Sequence, residues 1–121
     1  MKIKKLNESI YKTPVTLIWD CKAFEAENYL KESGISHKVD LVRCSGQTGR
    51  YSIKSIKNQS EKIYYYIFLE KGEEHKALLH EVAHLVFMSL ADCGILVDER
   101  TDEIYAYYLE HWYKKLFDCI K

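Results

Sequence analysis

Residues Lys62–Leu90 read KIYYYIFLEKGEEHKALLHEVAHLVFMSL, and the change of period inside this stretch decides the fold. Lys62–Glu70 is a run of aromatic and β-branched residues, the composition of a strand in a packed sheet. After Lys71-Gly72 the spacing lengthens. Ala77, Leu78, Val82, Leu85, Val86 and Ser89 recur at intervals of three and four, which predicts a helix over Glu73–Leu90. Glu73 and Glu74 suit the positive end of that helix, and Gly94 stands where it should stop.

Working outward, Ile95–Arg100 reads as a connecting loop. Thr101 is placed to cap a second helix, with Asp102 and Glu103 in its first turn and an apolar stripe of Tyr105, Leu109, Trp112 and Leu116. Towards the N-terminus, Pro14–Cys21 predicts a buried strand, and Lys22–Ser33 predicts a helix closed by Gly34. His37–Arg43 and Tyr51–Lys57 alternate as strands do, and Ser45–Gly49 and Asn58–Ser60 have the composition of turns. The expected architecture is α+β. A small mixed sheet of three or four strands, largely an antiparallel meander, packs on an early helix, the Glu73–Leu90 helix and a C-terminal helix. One domain spans residues 1–121.

The rest of the composition narrows the function classes. Lys plus Arg and Asp plus Glu are each 18, so the net charge is zero and nothing favours a phosphate backbone as partner. No apolar run approaches the ~20 residues of a membrane helix, and MKIKKLNESI lacks the apolar core of a signal peptide. Nucleic acid and membrane are therefore not expected partners, and a cytoplasmic location is expected. Cys21, Cys44, Cys93 and Cys119 lie 23, 49 and 26 residues apart, without the close pairs of a zinc ribbon. They read as reduced thiols, most of them buried as small apolar side chains.

The chemistry is concentrated in His80-Glu81-Val82-Ala83-His84, an HExxH pattern. Positions i and i+4 share one helical face, so two neutral imidazoles there can hold one zinc ion from the same side. The glutamate beside the first histidine is then placed to take a proton from water as a general base. Zinc lowers the pKa of a bound water from ~15.7 to about 7, which supplies hydroxide at neutral pH.

At these residues the chain resembles the HExxH zinc metallopeptidases, the zincins. The metzincin extension HExxHxxGxxH is excluded, because the corresponding positions are Phe87 and Leu90. The resemblance to gluzincins implies a glutamate ligand on the next helix, and Glu103, 19 residues after His84, stands where that ligand is found. Asp92, Asp98, Glu99, Asp102, Glu110 and His111 are competitors for the role. Asp92 would lie two turns beyond His84 and about 80° round the helix from it. The segment TDEIYAYYLEHW is similar to the Glu-x-x-Ala-Tyr pattern of minimal, mostly phage-encoded HExxH proteins. Larger gluzincins carry an aspartate four residues after the glutamate ligand, a position that holds Tyr107 here.

The resemblance implies a Tyr or His donor for the oxyanion that forms opposite the metal. Tyr105, Tyr107, Tyr108 and His111 are the candidates, and Tyr107 ranks first because it shares a helix face with Glu103. It also implies an extended peptide or protein substrate, bound by strand addition beside the metal helix. The leading expectation is a small zinc peptidase with His80, His84 and Glu103 on Zn2+, Glu81 as base and Tyr107 as oxyanion donor. A protein partner completing the cleft is compatible with so short a chain. The alternative is a zincin-core protein that holds metal without proteolysis, as a structural or assembly component of phage type in the host cytoplasm or virion. A third reading is a metal-free α+β interaction module with a tyrosine-rich surface.

Overall fold

The computed structural model describes residues 1–35 and 45–121. The elements run β1 (Lys2–Leu6), β2 (Val15–Cys21), α1 (Ala23–Glu32), β3 (Gly46–Lys54), β4 (Glu61–Glu70), α2 (Glu74–Asp92) and α3 (Asp102–Ile120). One mixed four-stranded sheet has the order β1-β2-β4-β3. β1 is antiparallel to β2, β2 is parallel to β4, and β4 is antiparallel to β3. The α+β expectation with three helices therefore holds, and the sheet has four strands. The strand predicted over His37–Arg43 lies outside the described residues, as does Cys44.

Two expectations need correction. Nothing in the spacing of Lys2–Leu6 predicts a strand, yet it forms the outer strand β1. Its lysines leave it little apolar signal, and charged residues are what exposed edge strands carry. Ser45–Gly49 is expected to be a turn, but its last four residues, from Gly46, instead open β3. The glycines there serve close packing and not a chain reversal. The hairpin turn falls where Asn58–Ser60 predicted it, with Gln59 at φ +55° and the Asn58 side chain accepting from the Ser60 backbone at 3.0 Å.

Alternation along the strands divides the core. Val15, Leu17, Tyr65, Ile67 and Leu69 face α2 and α3, where Leu78, Val82, Leu85, Trp112 and Leu116 are fully buried. Ile18, Cys21, Tyr66 and Phe68 face α1, against Ala26 and Leu30. A bulge near Asp20, itself at φ +56°, shifts the register of β2 before Cys21. β4 is central and buried on both faces over Tyr65–Leu69, which is why it reads as a continuous apolar run.

Of the three described cysteines, all free, only Cys21 is buried; Cys93 is exposed and Cys119 half-buried, so the expectation of mostly buried thiols fails. Burial, with Glu25 nearby, pushes the Cys21 thiol up to about 11 and keeps it protonated. Among the described residues, no helix is long and apolar enough to cross a membrane.

The chain between β1 and β2 is organised by Glu8. Its buried carboxylate accepts from the backbone N–H groups of Tyr11 at 2.7 Å, Ile10 at 2.8 Å and Thr13 at 3.2 Å. Burial alone would raise its pKa, but the hydrogen bonds from Tyr108 and these backbone groups prevail and lower it. Stability from a lowered carboxylate is present above its unfolded-state pKa and is lost as pH falls through the folded value. Glu8→Gln is therefore expected to cost about 2 kcal/mol at pH 7, roughly 8 °C in Tm. The deficit should close as the wild-type carboxylate protonates in acid. Melting curves at pH 7 and pH 3 check this, and a deficit of equal size at both would show that charge is not involved.

Candidate metal centre

Helix α2 is fixed at both ends. The Glu74 carboxylate accepts from the Gly72 backbone at 2.7 Å and from Asp20 on the β2 bulge at 3.2 Å, tying the start of the helix to the sheet. At the other end Gly94 takes φ +81°, and the Ile95 N–H returns to the Leu90 carbonyl at 2.8 Å, as in a glycine-closed helix terminus. Between these anchors, Val82, Leu85 and Val86 lie in the core, which turns His80 and His84 outward on one exposed face.

The two imidazoles converge. His80 Nε2 and His84 Nε2 are 3.1 Å apart, with ring centroids 4.7 Å apart and planes at 78°. Two nitrogens bound at 2.0–2.1 Å in a tetrahedral zinc site stand ~3.3 Å apart, so the pair fits the metal with little adjustment. In the metal-free protein the same separation allows one ring to donate its N–H to the other.

Glu81 behaves differently from its neighbours. It is 2% exposed although it sits between solvent-facing histidines. Its side chain lies under the edge of β3, where the Thr48 hydroxyl donates to Glu81 Oε1 at 2.7 Å and stands 2.9 Å from the Glu81 carbonyl oxygen. Glu81 Oε2 is 4.0 Å from His80 Nε2. A Cβ at Gly46 would meet the Phe68 carbonyl at 2.7 Å and Glu81 Cγ at 3.1 Å, so only glycine leaves the carboxylate its place. His80, Glu81, His84, Gly46, Gln47, Thr48 and Met88 line one pocket of about 240 Å³.

The remaining predicted site residues lie elsewhere. Glu103 is exposed in the first turn of α3 and does not line this pocket. Among the described residues no group of three or more His, Cys, Asp or Glu comes together to hold a metal. The Tyr105 hydroxyl donates to the Ala83 carbonyl at 3.3 Å, and Glu103, two residues earlier, is about 200° round the helix from Tyr105. Thr101 precedes α3 as expected, but its hydroxyl turns back to the loop and accepts from Asp98 N–H at 2.8 Å without capping the helix.

Tyr107 is 69% exposed and lines a different pocket, with Tyr11, Ile104, Tyr108, His111 and Lys115. Tyr108 is buried with its hydroxyl 2.7 Å from Thr13 Oγ1, and His111 stacks parallel to its ring. Of the four donor candidates, Tyr105 is the one held against the HExxH segment. Asp92 is already engaged, accepting from the Tyr65 hydroxyl and pairing with Arg50 Nη1 at 3.4 Å. Thr48 and Gly46 are the site residues that the sequence did not disclose. Their only signal was that they alternate, at i and i+2, ahead of a strand.

Comparison of the chain with protein-family models, with curated proteins and with solved structures gives no match.

Proposed function

We propose that the protein is a small zinc-dependent peptidase of the zincin kind, with the ion held by His80 and His84. The observation that carries this reading is the 3.1 Å approach of the two Nε2 atoms beside the buried Glu81 carboxylate. Zinc, when bound, polarises the scissile carbonyl and acidifies a water. Glu81 would take a proton from the water as its oxygen bonds to the scissile carbonyl carbon, and return it to the amine nitrogen as the C–N bond breaks, leaving a carboxyl group and an amine. Glu103 is kept as the third ligand on the gluzincin resemblance alone: it stands exposed in the first turn of α3 and would have to turn towards the histidine pair to reach the ion.

Metal content tests the reading. Untagged protein purified without chelator is expected to carry about one zinc per chain, lost in His80→Ala/His84→Ala and bound at least about tenfold more weakly in Glu103→Gln. No metal in wild type, and no rise in Tm on adding zinc, would remove the proposal. Unchanged affinity in Glu103→Gln would remove that residue from the ligand set alone. A second reading is a metal-holding assembly component without hydrolysis. It is favoured by the position of Tyr107, which faces a separate pocket and has no part in the site.

A further inference from the structure

We infer that Thr48 is a positioning residue for the hydrolytic site: its hydroxyl fixes Glu81 so that Oε2, and not Oε1, is the oxygen that receives the proton from water. This rests on the peptidase reading above and adds a residue from the opposite element of the site. A glutamate on a helix has three freely rotating side-chain bonds, and between two exposed histidines it would ordinarily extend into solvent. Here two features of β3 hold it instead. Gly46 clears the space for its methylenes, and two residues on, Thr48 on the same face of the strand donates to Oε1 at 2.7 Å.

The hydroxyl carries a single hydrogen, and the side-chain oxygen at 2.7 Å is closer to it than the Glu81 carbonyl at 2.9 Å. With Oε1 committed, Oε2 is the oxygen left facing His80, 4.0 Å from Nε2, and it has no donor among the described residues. The carboxylate is thus held with one oxygen anchored to the sheet and one directed to the histidine pair. The tether joins two separate elements, so the general base keeps its place only while β3 keeps its register against α2. A base displaced by about 1 Å can lose on the order of 10²-fold in rate.

The test compares Thr48→Val, which keeps the β-branched shape and removes the hydroxyl, with Thr48→Ser, which keeps the hydroxyl. Three readings are taken on each: zinc affinity, the visible spectrum of the cobalt(II)-substituted protein, and kcat and KM on a fluorogenic unfolded-protein substrate. Thr48→Val is expected to lower kcat about 10–100-fold, with KM and zinc affinity within about threefold of wild type. Its cobalt spectrum should shift, and Thr48→Ser should restore both the spectrum and kcat. Wild-type kcat and spectrum in Thr48→Val would overturn the inference and leave the peptidase reading standing. So would a Thr48→Ser protein that behaves as Thr48→Val does, since the methyl group would then be what matters. A wild-type protein that takes up neither zinc nor cobalt would overturn the peptidase reading and this inference together.

Discussion

Glu81→Gln is expected to lower peptide hydrolysis by about 10²–10⁴-fold while zinc content remains that of wild type. The separation of the two effects follows from where the side chain lies. Glu81 is buried under β3, and its Oε1 accepts from Thr48 at 2.7 Å, a bond that a glutamine carbonyl oxygen also accepts. The amide fills the volume that Gly46 leaves for the carboxylate. The substitution therefore removes the charge and the basicity and keeps the shape, so fold and metal site persist. Zinc content and kcat measured on one preparation decide the matter. A Glu81→Gln protein that hydrolyses peptides at the wild-type rate would show that Glu81 does not handle the proton. Zinc in both proteins with hydrolysis in neither would leave the assembly component as the better account.

Part of this architecture was legible because periodicity and burial agree. β4 is buried on both faces and α2 on one, so a run of apolar residues changes to a spacing of three and four at Gly72. The glycines at positions 34, 72 and 94 all take positive φ at helix or strand ends, where composition alone predicts a break. The histidine pair was legible for the same reason, since i and i+4 fix their shared face whatever surrounds them.

The rest of the site depends on contacts between elements far apart in sequence. Glu81 is paired with Thr48 across 33 positions, and no local pattern marks that pairing. Helix periodicity puts Tyr107 on the same face as Glu103, and that is all the sequence says of it. The face of α3 that meets α2 and the sheet is set by Tyr108, Trp112 and Leu116, and this leaves Tyr107 in the pocket beside residues 7–11. β1 carries no apolar alternation to mark it, because its pattern is exposed throughout apart from Leu6.

The start of β3, where composition predicts a turn, carries the largest expected effect on stability. Gly49 pairs with Tyr66 across β3 and β4, and the buried Tyr66 ring lies over it. A Cβ at position 49 would fall 2.2 Å from both Cε1 and Cζ of that ring and 2.4 Å from its hydroxyl. Gly49 does not have positive φ, so alanine meets no backbone penalty there, and the whole cost is that of the ring's space. The ring cannot swing away freely, because it is fully buried and its hydroxyl accepts from Gln47 Nε2 at 2.8 Å. Overpacking of this kind costs about 3 kcal/mol, so Gly49→Ala is expected to lower Tm by roughly 10 °C.

A second substitution identifies the cause. Tyr66→Leu lacks the atoms that alanine at 49 would meet, and in that background Gly49→Ala should cost less than about 0.5 kcal/mol. The favourable side of that range is expected, since glycine in a strand interior is itself worse than alanine by about 0.5–1 kcal/mol. Urea unfolding of the four proteins in this cycle gives the coupling directly. A cost of about 3 kcal/mol that persists without the tyrosine ring would place the requirement for glycine in the backbone of β3. Glycine would then be serving chain geometry at position 49, as the turn expected from the sequence had assumed.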